Sequence, residues 1–146
     1  MFMYPSPLAQ SPRRPSVGPP SHTTFPSAPE SVGAARGYAL EIIERDAPGI
    51  APAHVADVQL VVSELVTNSF RYGTEPGDRV ALTISASANR VRVEVHDPTR
   101  RRPRFKPESE ERQRGRGMFI VEHLAEIWGV DDRPLGKTVW AELTWH

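Results

Sequence analysis

The sequence predicts an α+β domain, a two-layer α/β sandwich in which helices cover one face of a mostly antiparallel sheet. Three observations lead there. Two stretches between residues 31 and 72 repeat apolar residues at spacings of three and four. Two stretches between residues 80 and 95 alternate apolar and polar side chains around a two-residue turn, and a last alternating stretch closes the chain. A length of 146 residues suits one ordinary core and not two.

Eight of the 15 prolines fall within the first 30 residues, interleaved with five serines. Proline lacks an N–H and fixes φ, so this composition predicts a disordered Pro/Ser-rich leader over 1–29, ahead of a domain over 30–146. Ser31 is placed to cap a helix running to Ala47, with Val32, Ala35, Ala39, Leu40 and Ile43 on one stripe and Pro48-Gly49 as its stop. Gly33 and Gly37 each weaken such a helix by about 1 kcal/mol relative to alanine, so packing must hold it. Residues 54–72 carry the strongest helical pattern, through Val55, Val58, Val61, Val62, Leu65, Val66 and Ser69, with Gly73 as the stop.

Val80, Leu82, Ile84 and Ala86 share one face of a strand, as do Val91, Val93 and Val95, and Ala88-Asn89 joins the two as a hairpin. The stretch 98–114 has no period and is rich in prolines and charges, which predicts a long lid loop. Met118 to Trp128 reads as a helix ended by Gly129. In the last strand, 137–145, Val139, Ala141, Leu143 and Trp145 alternate with Thr138, Trp140, Glu142 and Thr144.

Lysine plus arginine number 18, and aspartate plus glutamate 18, so neither a basic nucleic-acid coat nor an acidic tail fits. The absence of cysteine excludes disulfides, thiolate metal sites and cysteine nucleophiles. No apolar run approaches the ~20 residues of a membrane span, and the first residues lack the charged start and apolar stretch of a secretory signal. The expectation is a soluble, cytoplasmic domain with no membrane contact.

Four groups of residues can carry chemistry. Glu64 and Asn68, four apart on the second helix, rise from one face a turn apart and offer the oxygen donors that Mg²⁺ accepts; the same spacing also suits a plain polar stripe. Asp97 ends a strand and can accept a hydrogen bond from an exocyclic amine, or start a turn before Pro98. Gly115-Arg116-Gly117-Met118 precedes a helix, where bare N–H groups seat an anion; a flexible lead into the helix is the bland alternative. Between Thr99 and Arg116 stand eight basic residues against three glutamates, suited to a polyphosphate, to RNA or to an acidic partner. Phe105 is the single aromatic there, which disfavours RNA. Gly136-Lys137-Thr138 opens the last strand, with a hydroxyl at Thr138 for a base or a water.

In this order, Ser63-Glu64-Leu65-Val66-Thr67-Asn68-Ser69, Val93-Glu94-Val95-His96-Asp97, Gly115-Arg116-Gly117-Met118 and Gly136-Lys137-Thr138-Val139-Trp140 resemble the Bergerat-type, histidine-kinase-like ATPase superfamily. More narrowly, the chain is similar over about residues 31–146 to stand-alone anti-sigma factors that are serine/threonine protein kinases. The resemblance implies ATP and Mg²⁺ as cofactors. It implies Glu64 as the general base and Asn68 as the magnesium ligand. It places the adenine amine on Asp97 with Thr138 assisting, and phosphates on Gly115, Arg116, Gly117 and Met118 with Arg71 as a further contact. It implies an anti-anti-sigma-type partner, contact with a sigma factor, no direct nucleic-acid contact, and pairing into homodimers. Trp140 and Trp145 are candidates for such a pairing surface, with core packing as their more common use. The chain departs from the wider superfamily after Asp97, where Pro98-Thr99-Arg100-Arg101 replaces the usual Asp-x-Gly-x-Gly. A non-catalytic ATP-binding module that sequesters a partner is the alternative reading.

Overall fold

The computed structural model describes residues 19–75, 77–97, 118–134 and 136–146, with the backbone alone at Tyr72 and Gly73. Residues 1–18 of the expected leader, the expected lid and Gly115, Arg116 and Gly117 lie outside the described residues. The elements are β1 (Ser21–Pro26), α1 (Glu30–Asp46), α2 (Pro52–Asn68), a π-turn (Ser69–Gly73), β2 (Arg79–Ser87), β3 (Arg90–Asp97), β4 (Ile127–Arg133) and β5 (Gly136–Thr144). A third helix, α3, covers 118–124. All strand pairs are antiparallel, and the five lie side by side as β1-β2-β3-β5-β4. The α+β sandwich predicted from periodicity is the observed architecture.

Alternation divides the sheet into two unlike faces. Val80, Leu82, Ile84 and Ala86 of β2, Val91, Val93 and Val95 of β3, and Val139, Ala141 and Leu143 of β5 join Ile42, Ile43, Val58, Val61, Val62 and Leu65 in one apolar core. The opposite face is polar yet buried. Arg92 donates to Glu94 (2.6 Å) and to Glu142 (2.8 Å), and its guanidinium lies 4.2 Å from the centre of the Trp140 ring. Glu142 is 2 % exposed, so its ion pair with Arg92 lies out of water.

Three expectations require correction. Residues 21–26 belong to the sheet and not to the leader: Phe25 pairs with Val80 and packs edge-on against Tyr38 at 6.5 Å. The Ser-His-Thr-Thr-Phe run keeps its N–H groups, and the proline at its end sits on an edge strand, where proline is tolerated. Ser31 does not cap α1; Pro29 occupies that position, and the Ser31 hydroxyl donates to the Pro26 carbonyl at 2.6 Å. The helix expected over 118–128 stops at 124, and Gly129 lies inside β4.

Gly129 pairs with Trp140 across the two strands, and the indole covers the space where a side chain would stand. A Cβ at Gly129 would lie 2.7 Å from the Trp140 ring. Gly129→Ala is therefore expected to destabilise the fold by about 1–3 kcal/mol, as overpacking does. Gly37, exposed on α1, has nothing within 4 Å of an added Cβ. Gly37→Ala is expected to stabilise by up to about 1 kcal/mol. Urea denaturation of the two variants should move in opposite directions from wild type.

Candidate functional site

One contact fixes which end of α2 meets which end of β3. Pro52 opens α2 at its first turn, where its missing N–H costs nothing. Two residues on, His54 stacks on Trp145 with ring centres 4.7 Å apart and planes 7° from parallel. Trp145 is tied to the β2–β3 turn, its backbone N–H donating to Asn89 and its indole to Ala88, both at 3.1 Å. The start of α2 thus lies beside the start of β3. At about 1.5 Å per helical and 3.4 Å per strand residue, α2 and β3 each span roughly 25 Å. The end of α2 consequently arrives at the Asp97 end of β3, and the π-turn packs on that strand.

This end of the core holds the polar residues. Glu64 is half-buried on the last turns of α2, and burial pushes its carboxyl above the ordinary glutamate value while the Arg71 guanidinium pulls it back. Arg71, exposed on the π-turn, is therefore close enough to act on Glu64. Asn68 is half-buried at the last residue of α2. Ser69 follows it, 6 % exposed, and its hydroxyl finds no hydrogen-bond partner among the described residues. π-turns recur at functional sites, and nothing in the Ser-Phe-Arg-Tyr-Gly run announces this one. Asp97, 4 % exposed, has the same parity as Val95 and so points to the helix side.

The structure brings together Glu64, Asn68, Arg71 and Asp97 at one end of the sandwich. It separates Thr138 from them. Val139 belongs to the helix-side core, so Thr138 faces the other way, with Trp140 and Glu142, and its Oγ1 accepts from Arg133 Nε at 3.2 Å. The β5 residue on Asp97's face is Lys137, its direct cross-strand partner. Counting parity back from Val139 would have found it in the sequence. Met118 sends its side chain into the core at 3 % exposure, leaving only its backbone for an anion. Trp140 is buried against Arg92, and Trp145 is half-buried on His54.

A family model for the histidine kinase-like ATPase domain matches residues 25–143. The chain belongs to that family. None of the curated proteins compared with it matches. The histidine kinase-like ATPase domain makes this an ATP-binding chain, and its match begins inside β1, at Phe25. The residue types at this end could suit a nucleotide: a buried carboxylate can accept from an amine, and an amide and a carboxylate a turn apart offer oxygens. No helix among the described residues is long and apolar enough to cross a membrane.

Ser69→Ala isolates the orphaned hydroxyl. Removing an unsatisfied buried polar group is neutral or stabilising, so the nucleotide-free variant should match or exceed wild type by up to about 1 kcal/mol in urea denaturation. A loss of more than that would show that the hydroxyl already has a partner.

Proposed function

We propose that this histidine kinase-like domain is an ATP-dependent serine/threonine protein kinase of the anti-sigma type. It phosphorylates an anti-anti-sigma-type partner and so controls transcription by partner switching. The observation that carries this reading is Glu64: a carboxyl raised by burial, held one turn before Asn68, at the end of the sandwich that also holds Asp97. A glutamate shifted towards neutrality is a better general base than an exposed one. Glu64 would accept the proton of the partner's serine or threonine hydroxyl as that oxygen attacks the γ-phosphorus, the new O–P bond forming as the bond to the β,γ-bridging oxygen breaks and ADP leaves. Asp97 holds the adenine amine and fixes the nucleotide's orientation. Asn68 supplies an amide oxygen for Mg²⁺, and Arg71 adds positive charge towards the phosphates. When bound, Mg²⁺-ATP supplies the phosphoryl group and neutralises its developing charge.

The alternative, a regulator that binds ATP without transferring phosphate, is favoured by one observation: Pro98-Thr99-Arg100-Arg101 offers no glycine after Asp97. Radiolabelled ATP and purified anti-anti-sigma-type proteins separate the two. Wild type should label a serine or threonine. Glu64→Gln should lose about 10²-fold or more of the transfer rate while keeping ATP affinity within about twofold. Asp97→Asn should instead weaken ATP binding by about tenfold or more. Undiminished transfer by Glu64→Gln contradicts the base assignment, and unchanged affinity in Asp97→Asn contradicts the adenine assignment.

The pH dependence has a definite sign. Glu64 works only when ionised, and burial raises its pKa, so the rate should fall on acidification at a pH above the ordinary glutamate range. Arg71 lowers that pKa, so Arg71→Ala should move the acid limb further towards neutral. An acid limb at the ordinary glutamate position in both proteins would contradict it.

A further inference from the structure

Lys137 stands where no motif assigned a role. It pairs directly with Asp97 on one side and with Asp132 of β4 on the other, so all three side chains leave the same face of the sheet. That face is the helix side, where Val95 and Val139 join the core. Directly opposed residues in an antiparallel pair have Cβ atoms about 5 Å apart, well within reach of a lysine's four-carbon stem. Ser69, with its unpartnered hydroxyl, lies on the turn that packs on β3. The hydroxyl next along β5, Thr138, is on the far face and engaged by Arg133.

We propose that Lys137 is a specificity-determining residue of the nucleotide pocket, donating to the purine base beside the amine that Asp97 accepts. A carboxylate next to an ammonium matches an edge that carries a donor next to an acceptor. Adenine has that edge, its 6-amino group beside ring nitrogen N1. Asp97 takes the amine and Lys137 donates to N1, with the phosphates left to other groups. The inference rests on the reading of Asp97 as the adenine site.

The experiment is a calorimetric cycle on the full chain with ATP and with 1-deaza-ATP, in which a C–H replaces N1. Wild type should bind 1-deaza-ATP about tenfold more weakly than ATP, the worth of one charge-assisted hydrogen bond. Lys137→Met should bind ATP about tenfold more weakly than wild type and no longer distinguish the two nucleotides. Lys137→Leu, which also lacks a donor, reads the same cycle should the methionine variant fail to fold. Thr138→Val should retain the wild-type preference. If Lys137→Met keeps that preference, the ammonium does not read the base and the inference is overturned, even where overall affinity has dropped. Asp97→Asn separates this failure from a deeper one. Loss of ATP binding there, with an unaltered preference in Lys137→Met, overturns the role of Lys137 alone. Unchanged ATP binding in Asp97→Asn overturns the pocket itself.

Discussion

The structure depends on α2 lying along β3 in the same direction, valine side to valine side. Val58, Val61, Val62 and Leu65 on the helix meet Val91, Val93 and Val95 on the strand, and the His54–Trp145 stack pins the far end. With that end pinned, two elements of nearly equal length must finish together. The residues beyond the apolar stretch of each, Asn68 with Ser69 and Asp97, are then neighbours although 28 or more positions apart in the chain. The polar site arises because two matched apolar runs end at the same place.

The two faces of the sheet divide the labour. The helix-side face is apolar for most of its length and turns polar only at the Asp97 end. The other face is stabilised differently, by Arg92 between Glu94 and Glu142 with its guanidinium over Trp140. The Gly129–Trp140 pair belongs to that arrangement, since the indole can lie flat only where its cross-strand neighbour has no side chain. Lys137 and Thr138, adjacent in sequence, are assigned to opposite environments by the same alternation. One points towards the candidate nucleotide pocket and the other towards an arginine of β4.

Much of this was legible in the amino-acid order. The stripes of α1 and α2 and the alternation of β2, β3 and β5 are strong periods, and the structure follows them closely. Glu64 and Asp97 were legible through their places at the ends of those elements. Strand β4 was not, because Gly129 interrupts it and Asp131, Asp132 and Arg133 make its second half read as a loop; pairing with β5 overrides that composition. Strand β1 was hidden by the prolines around it, although six residues are enough to pair an edge. The π-turn leaves no local mark, since neither glycine nor proline interrupts it before its last residue. Thr138 is instructive: its hydroxyl is chemically apt, but the parity that puts Val139 in the core turns it to the other face, towards Arg133.

In the proposed arrangement the nucleotide lies at the end of the sandwich where α2 and β3 finish. Titrating ATP and magnesium into ¹⁵N-labelled protein and mapping the amide shifts tests it most directly. The largest changes are expected around residues 64–71, at Asp97 and at Lys137, with His54, Asn89 and Trp145 undisturbed. Changes centred on His54, Asn89 and Trp145, with the opposite end silent, would contradict it.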